Sequence, residues 1–135
     1  MTPQNDVPAC APDAFADITR EAAHFASAPT AFLHAWKRSV ELAGPRFFGK
    51  GLRADFCGAA TKWDLCPNVA LIDAALGPMS PAERIFIASL VSFYDTEDGG
   101  KFLRRAEFDG FADLGRLDLQ RRVVVAALIL NYSGW

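Results

Sequence analysis

The chain has 135 residues, of which 51% are hydrophobic and 22% are charged, and its formal net charge is −2. This length is typical of one domain that buries about two thirds of its unfolded surface, and so small a net charge favours neither nucleic-acid binding nor disorder. The longest apolar run, Val123 to Leu130, has 8 residues, far fewer than the roughly 20 that cross a bilayer, so no membrane partner is expected.

The N-terminus has neither the basic start nor the apolar segment of a secretory signal. Three cysteines at irregular spacing do not make a disulfide framework. We therefore expect a reduced, cytoplasmic protein. Residues 1–12 contain three prolines and little apolar content, which predicts a loose N-terminal tail before a single helical domain over 13–135.

Two amphipathic helices are predicted next. Phe15, Ile18, Ala22 and Phe25 recur at helical spacing, and Pro29 is expected to end that helix. Thr30 can cap a second helix that stops at Gly44-Pro45, so that the pair forms a helical hairpin.

Both histidines lie on the polar sides of these predicted helices. His24 falls in line with charged residues of the first helix and His34 with those of the second. A histidine in such a place is more often solvated than catalytic, and no serine or cysteine can be tied to either one. We therefore assign no catalytic residue.

The segment from Gly44 to Pro67 carries the most chemistry. Arg46, Lys50 and Arg53 surround two glycines and two phenylalanines, and glycine-rich basic loops can hold a phosphate or another anion. The spacing is not that of a Walker loop. The alternative, which we favour, is a tight loop or a small β-hairpin near 47–56 whose phenylalanines fill the core while the cations stay in water.

Eight residues lie between Cys57 and Cys66, whereas zinc sites use cysteine pairs separated by two to four residues. A site that joins both thiols to His34 would depend on the fold. We expect inert thiols, no metal site and no cofactor.

The stretch from Ser80 to Asp95 predicts the central element. Ser80, Pro81 and Glu83 form a capping-box pattern, and the residues from Ile85 to Tyr94 are apolar on almost every side. A helix that is apolar all round must be covered all round, so we expect it to run through the middle of the domain. A short helix after Pro67, closed by Gly77-Pro78, precedes it.

The acidic segment at 95–106 resembles part of an EF-hand calcium loop. Asp95, Glu97, Gly100 and Phe102 match positions one, three, six and eight of such a loop. Position five is Gly99, and position twelve is Ala106 where a calcium loop needs a bidentate glutamate. We therefore interpret 95–106 as an acidic turn between helices and do not expect calcium as a partner.

Asp118 can cap a last helix that is also apolar all round and should pack beside the central one. A domain of this size has room to enclose about one such helix. We therefore expect an exposed apolar patch that meets a protein partner, most simply a second copy of the chain. Its candidate residues are Phe108, Phe111, Leu128 and Tyr132.

These observations predict an all-α protein, a compact bundle of five to six helices around the central helix at about 80–95. No motif specifies a reaction. The hypothesis we favour is a small non-catalytic interaction or regulatory protein that forms a homodimer. The alternative is a small-ligand domain or enzyme that binds an anion through the loop at 46–53.

Overall fold

The computed structural model describes residues 14–135, and all its regular elements are helical. The six α-helices are α1 (Ala14–Ala43), α2 (Arg53–Gly58), α3 (Val69–Ala75), α4 (Pro81–Tyr94), α5 (Thr96–Arg105) and α6 (Leu119–Asn131). Three short 3-10 helices join them, at Pro45–Phe47, Lys62–Leu65 and Phe111–Arg116. The predicted all-α bundle is confirmed. The tail at 1–12 lies outside the described residues.

The predicted hairpin at the start of the chain is wrong, because α1 is one continuous helix of 30 residues with Pro29 inside it. Proline removes one backbone hydrogen bond and usually kinks or breaks a helix. Here the turns on either side of Pro29 are anchored by packing, since Ala28 and Phe32 are both buried. Tertiary contacts therefore carry the helix through the proline.

The central helix is confirmed as α4, in which every residue from Ile85 to Val91 is buried. Its first turn has the predicted capping box. The Glu83 amide donates to Ser80 Oγ at 3.2 Å, and the Ser80 amide donates to Glu83 Oε1 at 3.2 Å. Hydrogen bonding of the Glu83 carboxylate to the Ser80 side chain and to the Ser80 amide holds the pKa of Glu83 below its usual range. One hydrophobic core surrounds α4 and receives side chains from the other helices.

The segment at 95–106 is not a turn but mostly the helix α5, which corrects the prediction. Asp95 alone connects α4 to α5, and its carboxylate accepts from the Glu97 and Asp98 amides at 2.9 and 3.0 Å. Gly99 then packs directly on α4, where a Cβ would lie 2.3 Å from the Cα of Ser92. The glycine that resembles a loop residue therefore permits a close helix crossing.

The small β-hairpin at 47–56 is not present, and no β-strand occurs within residues 14–135. The segment forms a 3-10 helix, a tight turn and α2. An isolated bridge joins Phe48 to Pro67. Two backbone hydrogen bonds accompany the bridge, from the Gly49 amide to the Cys66 carbonyl and from the Asn68 amide to the Phe47 carbonyl. Phe47 and Phe48 are buried as predicted.

The last helix, α6, packs mainly along α1 and less along α4, which corrects the expected pairing with the central helix. The two helices run antiparallel. His24 contacts Leu130 at one end, and His34 and Arg38 line a hollow with Leu119 at the other. Because α6 has 13 residues and α1 has 30, the first part of α1 extends past α6.

An aromatic cluster closes the side of the fold near Trp135. The Trp135 ring lies with its centroid 4.8 Å from that of Trp36 and 5.2 Å from that of Tyr94. Lys62 lies against the same ring, with Nζ 5.2 Å from its centroid, and donates to the carbonyl of Gly134. Burial lowers the pKa of Lys62. Within residues 14–135, no helix is both long and apolar enough to cross a membrane.

Candidate interaction surface

The two glycines of the basic loop serve its own backbone. Gly49 and Gly51 have φ angles of 57° and 79°, in the left-handed region that favours glycine. A Cβ on Gly49 would lie 2.7 Å from the carbonyl oxygen of Asp64. Their amides donate to the carbonyls of Cys66 and Phe48 at 2.8 and 2.9 Å. Packing therefore accounts for these glycines, and neither amide is left to hold an anion.

Lys50 lines a cavity of about 480 Å³ together with Asp55 and Asp64. Two backbone amides, from Ala60 and Thr61, donate to Asp64 and lower its pKa. Asp64 therefore stays ionised near neutral pH. With two acidic residues and one lysine in its lining, this cavity does not favour a phosphate.

Arg46 lies elsewhere, with its guanidinium carbon 4.2 Å from the centre of the Phe47 ring. It lines a separate cavity of about 340 Å³ with Glu83 and Arg121. Arg53 is exposed at the start of α2. Arg46 and Lys50 thus line different cavities, so the candidate anion ligands do not share a single cavity. Anion binding by this loop stays a prediction.

The candidate thiols do not assemble a metal centre with the histidine. Among the described residues, no three histidine, cysteine, aspartate or glutamate side chains are grouped closely enough to hold an ion. Cys57 and Cys66 are both free thiols. Burial raises the pKa of Cys66, so its thiol stays protonated and weakly reactive.

The four residues predicted to form an apolar patch are placed very differently by the fold. Leu128 is fully buried in the core, so its expected place at the surface is wrong. Phe108 and Tyr132 are half-buried against the core, Tyr132 with its ring 5.6 Å from that of Phe93. Phe111 is 84% exposed. These residues therefore do not form a common exposed patch.

An exposed apolar stripe is present instead on the opposite face of α6. We call Leu119, Val123, Ala126 and Leu130 the α6 stripe; all four are exposed. They recur at spacings of four, three and four residues, as on one side of a helix that packs against another helix. The buried face of α6 is made by other residues: Val124, Val125 and Leu128. α6 is therefore apolar on two faces, of which one is covered.

A second exposed stripe lies on the first half of α1. We call residues 14–27 the arm, and Phe15, Ile18, Ala22 and Phe25 the arm stripe; all four are exposed. Phe15 and Phe25 expose 79% and 57% of their surface. At 100° per residue, the arm stripe lies close to the side of α1 that buries Phe32 further along. The core-facing side of α1 thus continues into solvent.

His24, on the polar side of the arm, joins α1 to the end of α6. Its Nε2 lies 2.8 Å from the Leu130 carbonyl oxygen, and because a carbonyl can only accept, Nε2 carries the proton and donates. This bond holds the end of α6 beside the arm. Sequence reasoning missed this contact, since residues 106 positions apart and on different helices show no pattern that relates them.

The arm and α6 carry net charges of opposite sign. The arm contains Asp17, Glu21 and one cation, Arg20, which pairs with Asp17 at 3.1 Å. α6 contains two arginines and no acidic residue. Arg122 donates to the carbonyls of Leu117 and Gly115 and has no acidic partner within residues 14–135. The surface thus has an acidic and a basic part.

Comparisons with protein-family models, with curated proteins and with solved structures found no significant match.

Proposed function

We propose that this protein is a small non-catalytic interaction protein that acts in the cytoplasm through the arm stripe and the α6 stripe. The observation that carries the proposal is the exposure of both stripes, on two adjoining helices. Exposed apolar residues scattered singly are ordinary on soluble proteins, whereas contiguous stripes mark sites where another molecule binds.

The spacing of the exposed residues supports a helix as the bound element. A repeat of four and three residues presents one narrow ridge, and another helix covers such a ridge by setting its own side chains between those on it. The shallow hollow between α1 and α6, about 460 Å³ and lined by His34, Arg38 and Val123 among others, adds room for side chains at the edge of the α6 stripe.

An affinity purification with the intact chain and one charged variant of each stripe tests the proposal. We expect Ile18→Glu and Val123→Lys to lose proteins that the parent retains, because a charge would be desolvated at the centre of the contact. Both positions are exposed, so the fold should tolerate the changes. Circular dichroism checks that it does.

Leu52→Glu is the matched control. Leu52 is exposed to a similar extent but lies in the basic loop, away from both stripes. The control should retain the same proteins as the parent. Identical retained proteins from the parent and both stripe variants would overturn the proposal.

A further inference from the structure

We propose that the partner of the α6 stripe is a second copy of this chain, and that the two α6 helices pack antiparallel across a two-fold axis. This inference rests on the proposed function and deepens it, because it assigns one of the two stripes to a second protomer. The arm stripe is not part of this contact. The position of the α6 stripe, its symmetric spacing, the charges around it and the area that it exposes each support the arrangement.

The α6 stripe lies on the side of its helix opposite the core. At about 100° per residue, Leu119, Val123, Ala126 and Leu130 fall within a band roughly 60° wide along α6. The buried Leu128 lies on the other side of the helix axis. No charged residue of α6 falls within that band, so its centre is apolar along the whole length of the helix.

A hollow borders the α6 stripe on each side. One, of about 460 Å³, is lined by Gln120 and Ala127 among others, and the other, of about 210 Å³, is lined by Ile129 and Leu114 among others. Helices pack by setting ridges of side chains into the grooves of their neighbours. A ridge with a hollow on either side therefore fits a second helix of the same shape.

The spacing of the stripe reads the same from either end. Its steps of four, three and four residues are symmetric about the point midway between residues 124 and 125. When two copies lie antiparallel about a two-fold axis at that point, Leu119 of each copy faces Leu130 of the other, and Val123 faces Ala126. A two-fold contact requires such reciprocal pairs.

The sizes of the paired side chains also favour the antiparallel direction. At the centre of the contact, the larger Val123 meets the smaller Ala126, which lets the two helices approach without a gap. In a parallel pair each residue would meet its own copy, and two Ala126 methyl groups would leave space between the helices. The antiparallel direction therefore fills the contact more evenly.

The charges near the stripe do not oppose this arrangement. Arg122, the nearest cation of α6, donates to the carbonyls of Leu117 and Gly115, which precede the helix in the chain. Its guanidinium is thereby drawn toward the start of α6, and the two Arg122 side chains of a dimer lie on opposite sides of the axis. Antiparallel packing also sets the N-terminus of each α6 beside the C-terminus of the other, which the helix dipoles favour.

The exposed area predicts a dimer of modest affinity. Leu119, Val123, Ile129 and Leu130 expose between 58% and 76% of their surface. Each such side chain removes on the order of 100 Å² from water when it is covered, so these residues from both protomers would bury roughly 800 Å². Specific interfaces begin at about 1,000–1,200 Å², and Ala126 and the walls of the two hollows add to the total. We therefore expect a micromolar dissociation constant.

Sedimentation equilibrium of the full chain at micromolar concentrations tests the proposal. We expect the parent to dimerise. Leu119→Glu and Leu130→Lys should each raise the dimer dissociation constant by about tenfold or more, because a two-fold contact desolvates each introduced charge twice. Leu52→Glu and Ile18→Glu are the controls and should dimerise like the parent, since they alter exposed residues outside the contact. Circular dichroism checks that all four variants keep the helix content of the parent.

An equimolar mixture of Leu119→Glu and Leu130→Lys tests the antiparallel direction. In an antiparallel mixed dimer the introduced glutamate faces the introduced lysine, and the other end keeps a leucine against a leucine. In a parallel mixed dimer each introduced charge faces a leucine instead. We expect the mixture to dimerise at concentrations where each variant alone is monomeric.

Three results would overturn the inference. A parent chain that stays monomeric at every concentration would exclude a second copy as the partner. Leu119→Glu and Leu130→Lys dimers as stable as that of the parent would place the contact elsewhere, and a mixture no more dimeric than its components would exclude the antiparallel arrangement. The proposed function is judged separately, because Ile18→Glu should dimerise normally yet lose proteins that the parent retains.

Discussion

At the residue scale, the close packing of α5 on α4 depends on Gly99, which has a hydrogen atom where other residues have a side chain. Gly99 is buried and lies against the backbone of Ser92. Its neighbour Gly100 is also helical but faces outward, where a Cβ would meet only the guanidinium of Arg104 at 3.6 Å. These two adjacent glycines therefore have opposite structural requirements.

We predict that Gly99→Ala destabilises the protein by about 1–3 kcal/mol or more, because the added methyl group forces α5 away from α4. Gly100→Ala should instead stabilise it by about 0.5–1 kcal/mol, since alanine is the better helix former. Urea unfolding of the two variants checks both signs. A neutral Gly99→Ala would contradict the close crossing.

Leu90 gives the corresponding prediction for the core. It is fully buried at the centre of α4, so Leu90→Ala should lower the free energy of unfolding by about 2–5 kcal/mol through lost burial and a residual cavity. Denaturant melts measure the change, with the exposed Leu52→Ala as the control. A melt of Leu90→Ala within error of the parent would mean that α4 is not central.

The burial of a single residue could be predicted only where the apolar pattern of its helix allowed one position for it. Leu90 lies in a helix that is apolar on every side, and it is buried. In α6 two opposite faces are apolar, and Leu128 and Leu130 differ by about 200° around the axis. The sequence does not show which of the two faces is covered. The prediction placed Leu128 at the surface, but Leu128 is buried and Leu130 is exposed.

At the element scale, Pro29 shows the same limit for helix boundaries. A proline after a helical stripe is a reasonable end signal. The stripe before it is nevertheless continuous with the one after it, and the buried Phe32 and Trp36 hold the second half in place. Packing energy from residues far along the chain decided the boundary.

We predict that Pro29→Ala strengthens the arm. The substitution restores an amide that can donate to the Phe25 carbonyl, so amides of the arm should exchange more slowly with deuterium. Amides of α4 should not change, and they serve as the internal control. Unchanged protection throughout the arm would contradict a continuous α1.

Calcium should not bind at 95–106. Ten of these residues form α5, so a loop that wraps an ion would first have to unwind a helix, and Ala106 still could not supply the missing carboxylate. Calorimetric titration should give no binding heat at physiological salt. A heat that disappears in Asp95→Ala but persists in Asp95→Asn would contradict this prediction.

At the scale of the whole molecule, several helical segments begin with a carboxylate that accepts backbone hydrogen bonds. Backbone amides lower the pKa of Asp64, Asp113 and Asp118, and the Ser80 hydroxyl and amide lower that of Glu83. Each folded-state pKa lies below its unfolded value of about 3.9 for aspartate or 4.3 for glutamate. These groups therefore stabilise the fold only while they are ionised.

The protein should lose stability in acid for this reason. The contribution is complete above about pH 5 and is lost as the pH falls through the lowered folded-state values. The urea midpoint of unfolding, measured at a series of acidic pH values, should decrease as the pH decreases. Asp113→Asn keeps an acceptor but cannot titrate, so its midpoint should fall less steeply; a slope equal to that of the parent would contradict the role of Asp113.

The candidate surface is the part of this molecule that the sequence predicted least well. It correctly indicated more apolar surface than one small core can hold, and a helical pattern at 15–25. It did not show that the arm passes the end of α6 or which face of α6 stays exposed, because both facts arise from the antiparallel packing of segments about 100 residues apart.

The aromatic cluster around Trp135 has a practical consequence for optical work on this protein. The chain has three tryptophans, and Trp36 and Trp63 both lie against Trp135, with ring centroids 4.8 and 5.9 Å from it. Intrinsic tryptophan fluorescence therefore reports on one location, the seating of the last residues against α1. The arm contains no tryptophan, so events there would leave the emission spectrum unchanged and call for a label placed on the arm.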